Sequence, residues 1–330
     1  MRVQAAMARH GVGALCLATP HLAVFASGAR RVQVAGSGGS IPWVVVTAGA
    51  PSAVVFTTDP DGVPSWTPRS AIEPLRWNRE RQLERIAALV APTTGTVACD
   101  VFSPVLAVAL AGRTLVDAAP LLAEAVAPRT SGELSAIRRA LGAVRMGLRA
   151  AVAAIVPEAT PAVLHARFCE SMSAAGAGFP LAEGSIRSRG RAAPADEPLG
   201  AGAITLEFGL YLDGHAGVAG DTVACGGGDL TEPRRAWSEA LCALAKRCRA
   251  GASTLELRDE AACVGAGQDG LLAHGLGVGI EAPFVDLRDD RGARLEAGTV
   301  LVLAPVVDGF RATRALLVTE RSPRWLEPAP

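Results

Sequence analysis

The sequence predicts an α/β protein of two domains, and three observations support this. The chain has 330 residues, half of them hydrophobic, which is enough to fill more than one core. Runs rich in β-branched residues, such as Trp43–Thr47, alternate with segments of helical periodicity, such as 79–91. A stretch with the composition of a domain junction, 128–133, separates two such series. We therefore expect domains at 1–127 and 128–330.

The N-terminal domain opens with a helix at 2–11 and a buried strand at Val12–Leu17 that Thr19-Pro20 ends. Two β-rich runs, 43–47 and 53–57, flank a short turn segment with Gly49 and Pro51, which predicts a hairpin. The remaining predicted elements are a helix at 79–91, a strand at 96–100 and helices at about 104–111 and 118–126.

The second domain begins with a capping box, in which Thr130 precedes Glu133 by three residues. Apolar residues then recur every three or four positions from Leu134 to Ile155, which predicts one long helix before Pro157. A helix at 161–175 and an exposed loop at 184–202 follow. Further strands are expected at 203–212, 217–225, 299–307 and 314–319, and helices at 232–249 and 254–265.

Composition excludes several partners. The 32 basic residues balance the 32 acidic ones, so the chain lacks the basic field that nucleic-acid binding requires. An apolar stretch near the N-terminus resembles a signal peptide, but Pro20 and His21 interrupt it, and no segment offers the roughly 20 apolar residues of a membrane span. The seven cysteines are odd in number and lack C-x-x-C spacing, which favours a reducing, cytoplasmic location.

Two segments carry information beyond patterning. Residues 204–215 read as a strand, a turn and the start of a second strand, with Glu207 in the first. Residues 273–283 form a glycine-rich run that contains His274 and Glu281. Glycines let backbone approach a ligand closely, and His and Glu can move protons or bind metal. Each segment alone is weak evidence for a site.

Taken in order, these segments resemble the creatinase, prolidase and aminopeptidase P family. The opening 7–28 is similar to the family's N-terminal domain, where a helix leads into a strand and a loop. Residues 204–215 resemble its Asp-x-Gly strand pair, and 274–283 its His-Gly-Ile-Gly loop. Residues 295–305 and 314–320 resemble its last two sheet segments. The resemblance implies a creatinase-like α/β domain followed by a pita-bread catalytic domain.

The family's metallopeptidases bind two divalent ions with two Asp, one His and two Glu, and the resemblance places these ligands one by one. The first Asp falls on Glu207 and the His on His274, so donors are retained there. The second Asp falls near Val218, the penultimate Glu on Ala304 and the last Glu near Thr313 or Arg314. Because too few donors remain to replace the water shells of two ions, we expect no metal and no other cofactor.

Six residues are the candidates for a site. His274 is expected as general acid or base, with Glu207 orienting its imidazole. Asp221 or Glu281 would handle a second proton or anchor a cationic group. His215 and Arg314 are expected to bind substrate, Arg314 through a carboxylate that its planar guanidinium fits. For each residue a structural role, such as core packing or a surface ion pair, remains the alternative.

Three functions stay open. The first is a metal-independent enzyme that cleaves or rearranges a C–N or related bond in a small polar substrate, with a place in specialised metabolism; creatinase shows that the fold supports such chemistry. The second is a non-catalytic binding or regulatory protein. The third is an Xaa-Pro metallopeptidase with replaced ligands. The resemblance also implies a homodimer in which one chain's N-terminal domain borders the partner's pocket.

Overall fold

The computed structural model describes residues 2–29, 32–33, 40–126, 129–181, 184–267, 270–288 and 292–327. The chain divides into two compact units, Met1–Val126 and Ala127–Pro330. The boundary predicted between residues 127 and 128 lies outside the described residues. None of the described helices is long and apolar enough to cross a membrane.

The first unit is a mixed sheet with helices on both faces. Its helices are α1 (Arg2–Arg9), α2 (Pro20–Ser27), α3 (Arg79–Val90), α4 (Pro104–Ala109) and α5 (Ala119–Val126). Its strands are β1 (Val12–Leu17), β2 (Val32–Gln33), β3 (Ser40–Ile41), β4 (Trp43–Thr47), β5 (Val54–Thr57), β6 (Ile72–Pro74), β7 (Thr96–Cys99) and β8 (Leu115–Asp117). Six of these strands form one sheet in the order β6-β5-β4-β1-β7-β8.

Side chains along β1 point alternately to the two faces of the sheet, and helices cover both faces. Leu15 and Leu17 pack with α1 and α5 on one face, while Ala14 and Cys16 pack with α3 and α4 on the other. A strand that is buried on both faces has a continuous run of apolar residues. This run is the pattern that predicted β1 from the sequence. The expected hairpin is confirmed, since β4 pairs with β5 in antiparallel register.

The segment 20–27 differs from the loop that the resemblance implied. It forms α2, because Pro20 at the first turn is compatible with a helix and Gly28 ends the helix in the left-handed conformation, with φ of 69°.

The described part of the second unit contains two five-stranded sheets and one two-stranded sheet. Its helices are α6 (Ser131–Ala153), α7 (Pro161–Ala174), α8 (Thr231–Arg247) and α9 (Thr254–Cys263). The first sheet contains β9 (Phe179–Pro180), β10 (Ser185–Ser188), β11 (Arg191–Ala192), β12 (Gly202–Leu212) and β13 (His215–Cys225). The second contains β14 (Leu271–Leu276), β15 (Ile280–Asp286), β16 (Val300–Leu303), β19 (Arg314–Leu317) and β20 (Arg324–Trp325), and a separate pair is formed by β17 (Val306–Val307) and β18 (Phe310–Arg311).

Helix α6 begins as predicted. Thr130 accepts a hydrogen bond from the Glu133 backbone N–H, and the Glu133 carboxylate accepts one from the Thr130 N–H. Its apolar stripe then packs in two directions, with Ala140 and Val144 in one core and Ile137 and Leu141 in another.

Three expectations were wrong in this unit. The predicted loop at 184–202 contains β10 and β11, which extend the sheet from β12. The predicted strand at 299–307 is interrupted after Leu303, because Pro305 has no N–H to donate. The glycine-rich run forms the paired strands β14 and β15, since Gly275 lets the Ala282 carbonyl approach where a Cβ would collide.

Candidate active site

The long strands β12 and β13 decide which way Glu207 points. Leu206 and Phe208 lie in the core beneath α6 and α7, so Glu207 between them faces the opposite side of the sheet. Gly220 lies directly across from Glu207 in the antiparallel register. A Cβ at Gly220 would come within 2.9 Å of the Glu207 Cγ, so the glycine leaves room for this side chain.

Glu207 is paired with Arg311. The Arg311 Nε donates to the Glu207 Oε1 at 2.8 Å, and the two side chains are 25% and 29% exposed. The Arg311 backbone is fixed as well, because its N–H donates to the Thr222 hydroxyl at 3.0 Å and its carbonyl accepts from that hydroxyl at 2.8 Å. The Arg311 guanidinium is therefore fixed by Glu207 and remains partly exposed to solvent.

His274 completes this group. It lies on β14 opposite Val302 of β16, on the sheet face that buries Ala315 and Val300. Its Nδ1 is 2.9 Å from the Gly275 carbonyl oxygen. Because a carbonyl only accepts, Nδ1 carries the proton and Nε2 of the neutral ring keeps its lone pair.

The electrostatics keep His274 neutral. Burial lowers the pKa of His274 from its usual 6.5, and the positive charge of Arg311 lowers it further. The hydrogen bond to Gly275 and the negative charge of Glu207 oppose this shift. The ring is therefore suited to accept a proton near neutral pH. The Gly275 carbonyl, and not the Glu207 carboxylate as expected, is the group bonded to its Nδ1.

An apolar surface borders His274. Phe284 of β15 is the direct cross-strand neighbour of His274, and Ile280 is the neighbour of Leu276. Cross-strand partners share a face of the sheet, so both side chains lie on the His274 side. Phe284 is 51% exposed and Ile280 is 41% exposed. These two side chains present apolar area to solvent beside His274.

Glu281 and His215 lie in a second group around Arg129. Glu281 forms an ion pair with Arg129, whose side chain is only 2% exposed. His215 bonds through Nδ1 to the Asp213 carbonyl at 3.0 Å. Burial lowers the pKa of His215, and the charges of Glu133, Arg129 and Arg139 act on it. Within the part of the chain that the structure describes, neither Glu281 nor His215 bonds to His274, and their catalytic and substrate-binding roles stay predictions.

Asp221 and Arg314 face away from His274. Asp221 lies opposite Leu206, which is buried beneath the helices, and its Oδ1 accepts from the Thr222 N–H at 2.9 Å. Arg314 lies opposite Leu303, on the sheet face that α8 and α9 cover. Its guanidinium carbon is 5.4 Å from the centre of the Trp237 ring. Of the six candidates, Glu207 and His274 thus act on each other electrostatically, whereas Asp221 and Arg314 face away from His274.

Comparisons with known proteins place the chain in a family. Residues 135–320 match the sequence profile of Metallopeptidase family M24. The chain belongs to this family. None of the curated proteins compared with the chain matches it.

Solved structures of peptidases share the fold of this chain. A prolidase from Pyrococcus horikoshii OT3 matches with a TM-score of 0.78 at 15% identity, over 100% of this chain and 97% of that one. An Xaa-Pro dipeptidase from Bacillus anthracis matches with a TM-score of 0.77 at 17% identity, over 100% and 96%. An X-Pro aminopeptidase from Thermotoga maritima MSB8 gives 0.77 at 17%, over 100% and 97%. The predicted family and pita-bread fold are confirmed.

The residues present do not fit the two metal ions of the M24 metallopeptidases. At the five ligand positions that the resemblance assigns, Glu207 is engaged by Arg311 and His274 offers one nitrogen. The side chains of Val218 and Ala304 offer no donor. At the last position, which falls near Thr313 or Arg314, the Thr313 hydroxyl accepts from the Gly220 N–H at 2.8 Å and Arg314 is a cation. Within the described residues, no three His, Cys, Asp or Glu side chains cluster in a way that could hold a metal ion.

Sequence reasoning missed Arg311 and Phe284. Glu207 was expected to need a partner because it lies mid-strand, but Arg311 is 104 residues away in the chain. Phe284 comes one position after the predicted segment 274–283. It lies beside His274 because β14 pairs with β15, and the glycines of this segment had hidden both strands. A search for basic residues near the last sheet segments would have found Arg311 and Arg314 without distinguishing them.

Proposed function

We propose that this M24 protein is a metal-independent enzyme that cleaves or rearranges a C–N or related bond in a small polar substrate. The observation that carries the proposal is the Nε2 of a neutral His274, which has no hydrogen-bond partner among the described residues, beside the Glu207–Arg311 pair. The poor fit of the donor set to two metal ions supports the same conclusion.

The residues suit proton transfer during hydrolysis. His274 Nε2 accepts a proton from the attacking water as the oxygen bonds to the substrate carbon. The same nitrogen then returns the proton to the leaving nitrogen as the C–N bond breaks. Arg311 uses Nε for Glu207, and its terminal N–H groups stabilise negative charge that develops on the substrate oxygen. Glu207 holds the guanidinium in place and stabilises the imidazolium.

The apolar surface limits the shape of the substrate. Phe284 lies next to His274, so an apolar part of the substrate would pack on this ring while its polar reacting group meets His274 and Arg311. A compact substrate with one polar and one apolar end fits this arrangement.

Family membership favours a second candidate, a metal-dependent Xaa-Pro peptidase. The solved relatives include a prolidase and an Xaa-Pro dipeptidase. This function requires replacement donors for Val218, Ala304 and Thr313. The third candidate, a binding or regulatory protein, requires only the fold.

A substrate panel tests the proposal. Chelator-treated protein would be assayed on small guanidino acids and amides and on Xaa-Pro dipeptides, with and without Mn²⁺ and Zn²⁺. We expect turnover in the presence of chelator and a loss of about 10- to 100-fold in Glu207→Gln, because that change removes the charge partner of Arg311. Glu170→Gln is the matched control, since Glu170 is 71% exposed on α7.

Two other results would contradict the proposal. Turnover of Xaa-Pro dipeptides that appears only with added metal would favour the metallopeptidase. Binding of panel compounds without turnover under any condition would favour the binding protein.

We further propose a cytoplasmic homodimer that acts in specialised metabolism. All seven cysteines are free, which suits a reducing compartment. Light scattering should give twice the 33.7 kDa chain mass. The mass of a single chain would contradict the dimer.

A further inference from the structure

A cavity of about 670 Å³ lies at the first turns of α8. It is bordered by the end of β13, the loop 228–230 and Arg314 of β19. Arg314 faces α8, whereas His274 faces the opposite side of the same sheet. The cavity is therefore separate from the candidate active site, and its volume is in the range of small-molecule sites.

Arg314 is a half-buried cation without a carboxylate partner among the described residues. Its Nη1 donates to the Thr313 carbonyl at 2.8 Å, and its guanidinium lies over the Trp237 ring. The nearby acidic group of Glu327 is engaged by Arg145, which donates to it from Nε and Nη2. An arginine stays charged when half-buried, so the remaining N–H donors of Arg314 can bind an anion that enters the cavity.

A second guanidinium borders the same cavity. Arg234 is 50% exposed and reaches the Asp221 carboxylate only at 3.5 Å. Burial and the positive charges of Arg145 and Arg234 lower the pKa of Arg314. The negative charges of Glu327 and Asp221 act in the opposite direction. Two neighbouring cations repel each other, and an anion with two negative charges would relieve that repulsion.

The other charged side chains that line the cavity are engaged in hydrogen bonds or ion pairs. Arg235 bonds to Glu232 and Glu239, and the Asp229 carboxylate accepts from the Thr231 N–H at 2.8 Å. The N-terminal end of α8 adds a favourable potential for a negative group. Arg314 and Arg234 thus remain as the cations with unused donors.

We propose that this cavity binds a small dianionic ligand through its phosphate or carboxylate oxygens, with Arg314 and Arg234 as the cationic partners. The planar guanidinium of Arg314, fixed over Trp237, presents its remaining N–H donors for bidentate contact. The proposal does not depend on catalysis at His274.

Calorimetric titration of the full-length protein with inorganic phosphate and, separately, with succinate tests the proposal. We expect saturable binding of at least one of them at concentrations up to about 20 mM, the weak range for a small ion. Arg314→Gln should weaken that binding by about tenfold or more, because it removes a charge-assisted contact. Saturation by phosphate alone would indicate a phosphorylated ligand, and saturation by succinate alone a dicarboxylate.

The control is Arg167→Gln, which removes an arginine that is 58% exposed on α7 and paired with Glu170. It should leave the affinity within twofold of wild type, whereas Arg234→Gln should weaken it. If Arg314→Gln does not fold, Arg234→Gln decides the question. His274→Ala should retain the binding, so a failure here is distinct from a failure of the proposed enzyme. No saturable binding, an adventitious ion only, or an equal loss in Arg167→Gln would overturn the proposal.

Discussion

Arg311 and Arg314 are three residues apart and end in different environments. Arg311 pairs with Glu207 beside His274, whereas Arg314 lies over Trp237 beneath α8. The side chain of Thr313 points to the same side as that of Arg311, where its hydroxyl bonds to Gly220. The side chain of Ala312 points to the same side as that of Arg314, into the core beneath the helices. Alternation along an extended chain produces this division. Proximity in sequence therefore does not place two charged residues in one site.

The largest expected effect tests whether the Arg311 side of the sheet is catalytic and the Arg314 side is not. His274→Ala should lower turnover on the authentic substrate by about 10² to 10⁴, because it removes the general base. Circular dichroism should show that the variant stays folded. Arg167→Gln is the control for a charge change elsewhere. A loss of turnover in Arg314→Gln as large as that in His274→Ala would contradict the separation of the two sides.

A stability measurement tests whether the buried pair of Arg129 and Glu281 stabilises the fold. Glu281→Gln should lower the free energy of unfolding by about 3 kcal/mol, because it leaves the buried Arg129 without its paired charge. Denaturant unfolding gives this quantity. Glu170→Gln, in an exposed pair with Arg167, should change it by less than about 1 kcal/mol. Equal effects in the two variants would show that burial of Arg129 is not decisive.

The smallest effect concerns pH. Burial lowers the pKa of His274 below its usual 6.5, so below that pH the unfolded chain binds a proton that the folded chain resists. Wild-type stability should therefore fall as the pH drops below 6.5, by at most about 1.4 kcal/mol per pH unit from this group.

His274→Gln should lack this part of the pH dependence. His215, whose pKa is also lowered by burial, should still contribute in that variant. Identical pH profiles of wild type and His274→Gln would show that His274 is not held neutral by its surroundings.

Local signals predicted the fold better than the site. The capping box at Thr130 and Glu133 depends on residues three positions apart, so the sequence contains it in full. The strands β12 and β13 were predicted because residues 204–215 read as a strand, a turn and the start of a second strand. Strand β14 was missed because Gly275 interrupts the apolar residues of a short strand that is buried on both faces.

The site depends on register, which the sequence does not contain. Glu207 and His274 were predicted from the resemblance, and both lie in one group. Asp221 and Arg314 were assigned to the same pocket, but pairing of Asp221 with Leu206 and of Arg314 with Leu303 turns both toward the helices. A shift of one residue in either pairing would have reversed that result.

Metal analysis tests the central claim, that the site around His274 and Glu207 works without a bound metal ion. Purified protein would be exposed to Mn²⁺, Co²⁺ and Zn²⁺, freed of excess ions and analysed for metal per chain, in parallel with His274→Ala. The account predicts substoichiometric metal that is the same in both proteins, because the remaining donors are too few. One or two ions per chain in the wild type that are lost in His274→Ala would contradict it.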